Sequence, residues 1–246
     1  MQHRSKKIKK SFFIILVVLI VLSGGSAIYL GNYYHSVDVE KYMNGSSEVS
    51  VEKFDKGWFF DGAGEEKALI FYPGAKVATE AYAPLMYQLA ESGIDCFLVD
   101  MPFHMAFFGM NRAEEIMQEY NYEAWYLGGH SLGGAMAANF AADYVEDHTD
   151  GIRGLLLLAA YPTKDLSPSD MSVVPAYGSE DGVLNMDKIV AGRELMPQDY
   201  KEVCIEGGNH AQFGSYGTQK GDGTAAIPAE EQWARTVEVF VGDESE

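Results

Sequence analysis

Cysteine is scarce in this chain of 246 residues, and its scarcity excludes some classes of protein. The two cysteines, Cys96 and Cys204, each lie in an apolar, strand-like run where a small buried side chain is expected. Two cysteines cannot form the disulfide framework of a small secreted protein, although a single bridge between them stays open. No group of cysteines and histidines has zinc-ligand spacing, so we predict no metal site.

Basic residues are also few, with 18 lysines and arginines against 36 aspartates and glutamates and a net charge of −18. Five of the basic residues lie in the first ten positions, which contain no acidic residue. Because binding to nucleic acid depends on basic groups that neutralise phosphates, we expect no nucleic-acid partner. An acidic surface of this kind favours solubility.

A long hydrophobic run is missing from most of the chain and occurs only near its start. Basic residues 4–10 precede an apolar run from Phe12 to Leu22, which continues through a small-residue break to Leu30. This pattern fits a signal peptide cleaved at Gly25-Ser26-Ala27, or an uncleaved transmembrane signal anchor, which its length favours. Both interpretations leave the basic flank inside and export the rest of the chain. We therefore predict an anchor or signal peptide over residues 1–34, association with the cell membrane through it, and an extracytoplasmic body.

The rest of the sequence predicts a polar tether at residues 35–47 and one α/β domain at residues 48–246. Near-continuous apolar runs alternate with helical patterns, as expected for parallel strands buried on both faces. We predict a mostly parallel sheet of about eight strands flanked by helices, with an antiparallel hairpin at one edge. Only residues 161–172 separate the sixth strand from the seventh, too few for a helical lid, so we expect an open site.

One motif carries chemistry. Gly129-His130-Ser131-Leu132-Gly133 follows a predicted strand and leads directly into a predicted helix, which is the setting of a nucleophile elbow. A strained turn there would project the Ser131 hydroxyl above the sheet, and flanking glycines would let the chain pass. The helix start would offer the Leu132 amide to an oxyanion.

A serine nucleophile needs a base and an acid, expected in the order serine, acid, histidine. Asp181 follows the second predicted strand after the elbow, and neighbouring Glu180 is the weaker alternative for the acid. His210 follows the last predicted strand and is the only histidine after that acid. We predict Asp181 to orient His210, and His210 to act as the base.

The loop after the strand KALIFY should supply a second oxyanion donor. Its sequence is Pro73-Gly74-Ala75-Lys76, and the Ala75 amide is the first candidate, with that of Lys76 second. The Lys76 side chain has two open interpretations, a contact with an anionic substrate group or plain solvation.

These segments resemble the α/β-hydrolase superfamily. The likeness covers about residues 48–241 and rests on FYPGAKV, GIDCFLVDMPF, GGHSLGG, YGSEDGV and EGGNHAQFG. Within it, the chain is somewhat similar to the compact bacterial dienelactone hydrolases, and the resemblance implies the same fold and triad. Those enzymes have a cysteine nucleophile where this chain has serine, so their substrate is not carried over. Many esterases have His-Gly where this chain has Pro73-Gly74.

The substrate side of the site is less specified. The loop MPFHMAFFGM is unusually apolar, and its Phe103, Phe107 and Phe108 either line a substrate pocket or pack the core. We expect a serine hydrolase that cleaves small acyl esters without a cofactor. An acyltransferase or peptidase with the same triad stays open, because fold and triad do not determine the acceptor. A non-catalytic surface-binding protein on this scaffold is the third hypothesis.

Overall fold

The computed structural model describes residues 31–148, 151–198 and 200–243. From Tyr34 onward these residues belong to one compact unit. Its centre is an eight-stranded sheet in the order β1-β2-β4-β3-β5-β6-β7-β8. The strands are β1 (Ser50–Phe54), β2 (Gly57–Asp61), β3 (Lys67–Tyr72), β4 (Asp95–Val99), β5 (Ala124–His130), β6 (Ile152–Leu158), β7 (Ser172–Gly178) and β8 (Val203–Ile205).

The sheet is parallel from β4 to β8 and antiparallel at one edge. The hairpin β1-β2 pairs antiparallel, and β2 then pairs antiparallel with β4. The remaining neighbours pair in parallel, so the carboxyl ends of β3, β5, β6, β7 and β8 share one edge. In such sheets, ligands bind outside the carboxyl ends of the strands. The predicted α/β-hydrolase fold, with its edge hairpin, is confirmed.

Helices cover both faces of the sheet. They are α1 (Glu40–Met43), α2 (Ala83–Glu91), α3 (Arg112–Glu119), α4 (Leu132–Asp147), α5 (Met186–Gly192) and α6 (Ala229–Asp243). Short 3₁₀ turns occur at Thr79–Tyr82, Pro102–His104, Ala106–Phe108, Arg193–Leu195 and Ala211–Phe213. No helix lies between β6 and β7, so the expected absence of a sizeable lid holds for this stretch of the described chain.

The central strands have a hydrophobic core on each face, as their sequences predict. In β6, Leu156 and Leu157 are both fully buried, Leu156 in one apolar cluster and Leu157 in the other. At the edge, β1 exposes most of its side chains. Alternating side chains of one strand point to opposite faces, so consecutive buried leucines require packing on both sides.

Three expectations need comment. The segment 35–47, predicted as a tether, contains α1 and buries Val39 and Tyr42, whose spacing places both on one face of a helical turn. Cys96 is buried as expected, but Cys204 is exposed because β8 forms the open edge of the sheet. Both cysteines are free thiols.

The predicted membrane anchor is corrected. Within residues 31–148, 151–198 and 200–243, no helix has the length and apolar character needed to span a bilayer. The segment 12–30, on which that prediction rested, lies outside the described residues. The transmembrane helix, the signal anchor and the membrane association through the N-terminus are therefore unsupported.

We expect Leu156→Ala and Leu157→Ala each to lower the free energy of unfolding by about 2–5 kcal/mol, because each leaves a cavity in a different core layer. Arg153→Ala is the control, since this residue is exposed on the same strand. Urea unfolding of the full chain measures all three. A substantial loss for only one of the two leucines would contradict a sheet buried on both faces.

Candidate active site

The predicted elbow forms a sharp turn between β5 and α4. Ser131 has φ 54° and ψ −121°, a conformation that costs a non-glycine residue on the order of 1–3 kcal/mol. Its amide donates to the Leu158 carbonyl at 2.8 Å, which ties the turn to the end of β6. A Cβ at Gly129 would lie 2.6 Å from the Gly134 nitrogen, and one at Gly133 would lie 2.1 Å from the Tyr72 carbonyl oxygen. Only glycine fits where the strand, the helix and the end of β3 approach so closely.

The structure brings the predicted acid and base together. Asp181 follows β7 and His210 follows β8, and Asp181 Oδ2 lies 2.8 Å from His210 Nδ1. Each side chain is only 2% exposed. The other carboxylate oxygen accepts from the amides of Val183 at 2.9 Å and Leu184 at 2.8 Å, which fixes the orientation of the carboxylate. The alternative acid, Glu180, is exposed and accepts from the Ser179 hydroxyl instead.

His210 also lies beside the elbow. Its ring centroid is 4.4 Å from that of His130, the residue immediately before Ser131. A Cβ at Gly178 would lie 2.6 Å from the Asn209 nitrogen, so the end of β7 packs directly against the histidine loop. The carboxyl ends of β5, β7 and β8 therefore bring all three predicted triad residues to one edge of the sheet.

The amides of the two predicted oxyanion donors share one property, which the amides of Gly74 and Lys76 lack. Within the described part of the chain, the amides of Ala75 and Leu132 have no hydrogen-bond partner. The amide of Gly74 donates to Tyr82 Oη at 3.0 Å. That of Lys76 donates to the His104 carbonyl at 2.7 Å, so Lys76 is excluded as the second donor. Two unpaired amides beside Ser131 can donate hydrogen bonds to an oxygen that develops negative charge.

A buried network joins these two donor loops, and sequence reasoning missed it. Tyr82 Oη lies 2.7 Å from His130 Nδ1, and the same oxygen accepts the Gly74 amide. Burial, together with neighbouring His210, lowers the pKa of His130 well below its usual value, although the backbone of His210 opposes this. Burial likewise raises the pKa of Tyr82. Both side chains are therefore neutral at physiological pH. They connect residues 73–76, called the oxyanion loop after their predicted role, to the elbow without adding charge.

The apolar loop after β4 combines both interpretations open at the sequence level. Met101 and Ala106 are buried and pack the core. Phe103, Phe107 and Phe108 are instead about half exposed, at 58%, 48% and 53%. Their rings form a chain of contacts, with centroids 5.6 Å apart for Phe103–Phe108 and 4.2 Å apart for Phe107–Phe108. The structure therefore presents an aromatic cluster, defined by these three residues, at the surface.

This aromatic cluster is attached to the oxyanion loop. The His104 carbonyl, one residue from Phe103, accepts the Lys76 amide. Phe103, His104 and Lys76 all have positive φ, near 55°, which produces the tight turns that bring the two loops together. The Ala106–Phe108 turn also packs against α4.

A strap at residues 34–37 crosses the same edge of the unit. Tyr34 pairs with the oxyanion loop, its amide donating to the Lys76 carbonyl at 2.7 Å and its carbonyl accepting the Ala78 amide at 2.8 Å. The Val37 amide donates to the Ser215 carbonyl at 2.8 Å. Ser215 belongs to the glycine-rich loop, residues 213–225, which follows His210. The sequence showed no signal for these contacts, because main-chain pairing of a polar segment leaves no pattern in side chains.

The described residues contain no group of three or more histidine, cysteine, aspartate or glutamate side chains placed to hold a metal ion.

Comparison with known proteins places this geometry in context. The alpha/beta hydrolase family model matches residues 68–234. No curated protein matches the sequence. The fold resembles that of several solved structures, each at low sequence identity, which shows the fold alone.

Three of these structures illustrate the likeness. Est1E from Butyrivibrio proteoclasticus has a TM-score of 0.56 at 16% identity, over 81% of this chain and 100% of its own. Carboxyl esterase 2 from the fungus Tuber melanosporum has a TM-score of 0.59 at 12% identity, over 85% and 88%. A predicted CIB-like hydrolase from Thermoplasma acidophilum has a TM-score of 0.58 at 12% identity, over 79% and 99%.

The family match covers more than half of the chain and includes the elbow and both loops that carry Asp181 and His210. Together with the sheet order and the turn at Ser131, it shows that this chain belongs to the alpha/beta hydrolase family.

Proposed function

We propose that this protein is a serine hydrolase that cleaves carboxylic esters through an acyl-enzyme, with Ser131, His210 and Asp181 as its triad. One observation carries the proposal. The amides of Leu132, directly after Ser131, and of Ala75, in the 74–76 loop, have no hydrogen-bond partner among the described residues. An oxyanion hole needs two such donors, and a scaffold that only binds ligands does not. The esterases among the similar structures support the same conclusion.

The chemistry follows from the hydrogen bonds. With the Nδ1 proton of His210 donated to Asp181, Nε2 carries the lone pair that can take the hydroxyl proton of Ser131. The Ser131 oxygen then bonds to the ester carbonyl carbon, and the carbonyl oxygen becomes an anion held by the Leu132 and Ala75 amides. His210 returns its proton to the leaving alcohol as the C–O bond breaks. Water, activated by the same imidazole, releases the acid and restores Ser131.

In this scheme the Asp181 carboxylate supports the imidazolium that forms when His210 takes the proton. Three hydrogen bonds surround its carboxylate, two from amides and one from His210. Charge-assisted bonds of this kind are stronger than bonds between neutral groups. Because Asp181 and His210 are both nearly inaccessible to water, their mutual attraction is weakly screened.

The aromatic cluster suggests the substrate class. Three exposed phenylalanines in mutual contact are costly to leave in water and offer an apolar surface beside the oxyanion loop. We therefore propose that the apolar acyl group of the ester lies on Phe103, Phe107 and Phe108. Acyl transfer and peptide hydrolysis by the same triad remain alternatives in which only the acceptor or the leaving group differs.

An extracytoplasmic location belongs to the proposal as well, on the basis of the basic and apolar N-terminal sequence alone. The strap begins at Tyr34, downstream of the predicted cleavage site at Gly25-Ser26-Ala27, so cleavage there would leave the strap in place. Cell fractionation with N-terminal sequencing of the recovered protein tests it, and a full-length protein found only in the cytoplasm would exclude it.

A fluorophosphonate probe, applied to the full chain, should form an adduct on Ser131, located by mass spectrometry. His210→Ala should slow labelling by about 100-fold or more, because the hydroxyl loses its base. Ser131→Ala should abolish labelling.

Ser92→Ala is the matched control, since Ser92 is an exposed serine at the end of α2 and lies outside the proposed triad and the loops around it. Failure of a folded wild-type protein to react, or labelling that persists in Ser131→Ala, would refute the proposed nucleophile.

Phe107→Ser and Phe108→Ser should lower kcat/KM for an octanoyl ester about 10-fold relative to an acetyl ester, because each removes apolar contact area from the long chain only. Val190→Ser removes a similarly exposed apolar side chain outside the cluster and should leave the ratio unchanged. An unchanged octanoyl-to-acetyl ratio in both phenylalanine variants would exclude the aromatic cluster as the acyl surface.

A further inference from the structure

Asp222 lies in the glycine-rich loop after His210, and its carboxylate is surrounded by backbone donors. Its Oδ1 accepts from the amides of Gly182 at 3.1 Å, His210 at 3.2 Å and Gly223 at 2.9 Å. Its Oδ2 accepts from the amide of Ala211 at 2.8 Å. One side chain therefore binds the loop that carries Asp181, the loop that carries His210, and its own loop.

The backbone of this loop is in direct contact with the acid loop. A Cβ at Gly223 would lie 2.0 Å from the Glu180 carbonyl oxygen, and one at Gly182 would lie 2.6 Å from the Gly221 carbonyl oxygen. Neither position has room for a side chain, so main chain packs against main chain. This contact leaves Asp222 within reach of the amide next to Asp181.

A second contact joins the loop to the histidine side. Asn209 Nδ2 donates to the Gly223 carbonyl at 2.8 Å. Asn209 is itself held by the buried Gln232 of α6, which accepts the Asn209 amide at 3.0 Å and donates to its carbonyl at 2.8 Å. The loop of Asp222 is thus anchored through Asn209 to a helix of the core.

We propose that Asp222 is a positioning residue, which sets the separation and orientation of Asp181 and His210 by holding the backbone of both. This inference rests on the proposed function. Asp222 bonds to backbone amides, not to the imidazole, so it acts through His210 and Asp181 and takes no part in the chemistry itself. Both oxygens of Asp222 accept from backbone amides, so an asparagine cannot make the same four bonds. The NH₂ group of an asparagine would face at least one N–H donor.

The two loops remain connected without Asp222, so its replacement should not unfold the protein. The amide of Glu180 donates to the Gly208 carbonyl at 2.8 Å, and that of Ser179 to the Ile205 carbonyl at 3.0 Å, both at the strand ends. These bonds hold the base of each loop. Asp222 holds the outer part, where Asp181 and His210 lie.

Asp222→Asn in the full chain should lower kcat on a soluble ester by roughly 10- to 100-fold with KM changed by less than about twofold, because misalignment affects the proton transfer and not the binding surface. The His210 Nδ1 proton should give a downfield NMR resonance in the wild type because of its bond to Asp181, and this resonance should weaken or disappear in the variant. Asp165→Asn is the matched control, since Asp165 accepts the Ser167 amide within its own turn, away from the triad loops.

The NMR signal separates this inference from the proposed function. If the wild type does not label at Ser131, the hydrolase proposal fails, and the resonance still reports whether Asp222 holds the pair. A folded Asp222→Asn variant with kcat within twofold of wild type and an unaltered Nδ1 resonance would overturn the positioning role. Should that variant not fold by circular dichroism, Asp222→Ser, which keeps a small acceptor, is measured in its place with the same expected and overturning results.

Discussion

The rest of the site depends on the turn at Ser131. Ser131 has a positive φ of 54°, a backbone conformation that is unfavourable for any residue with a side chain. Its strain persists because Gly129 and Gly133 allow β5, α4 and the end of β3 to approach within contact distance, and because the Leu158 carbonyl holds the Ser131 amide. The turn begins α4 at Leu132 and so leaves that amide unpaired. It also sets the ring of His130 against His210. Relaxing the turn would therefore disturb the proposed nucleophile, a proposed oxyanion donor and the neighbour of the proposed base together.

Around this turn the site is built from loops, and side chains that bind backbone amides make those loops rigid. Tyr82 holds the oxyanion loop at Gly74, and Asp222 holds the two loops that carry the acid and the base. A hydrogen bond of this kind contributes about 0.5–1.5 kcal/mol net, but leaving a buried amide without a partner costs about 1–3 kcal/mol. Against this background, the unpaired amide of Ala75 is informative, because the amides of Gly74 and Lys76 on either side of it have partners.

The strap adds a connection between the two sides of the site. Tyr34 pairs with the oxyanion loop, and Val37 pairs with the glycine-rich loop that carries Asp222. The ring centroid of Tyr34 also lies 5.5 Å from that of Tyr216, a buried residue of the glycine-rich loop. Part of the segment predicted as a tether thus joins the loop of the proposed oxyanion donor to the loop that follows His210.

The sequence predicted the fold and the meeting of Asp181 with His210 because both follow from periodic signals. Consecutive apolar residues predict strands buried on two faces, and parallel strands bring the residues that follow them to one edge. It did not predict Tyr82, Asp222 or the strap, since their roles depend on backbone amides whose positions appear only after folding. The glycine-rich loop contains one aspartate, Asp222, but nothing in the sequence indicates that its side chain would bind the loops of Asp181 and His210. Two apolar runs were overinterpreted. Cys204 was predicted to be buried but is exposed, and the N-terminal run was predicted to cross a membrane, for which the described residues give no support.

The exposure of the site to solvent bears on whether water or another molecule would accept the acyl group. Ser131 is partly exposed, and the 13-residue stretch between β6 and β7 forms no helix that could cover it. Acyl transfer to an alcohol or amine requires that water be kept from the acyl-enzyme, and closure of the site is the usual means. The aromatic cluster provides an apolar surface on one side, but its phenylalanines are themselves half exposed and cannot exclude water from the carbonyl. On the proposed function, an acyl-enzyme on the partly exposed Ser131 would be accessible to water, which favours hydrolysis over transfer.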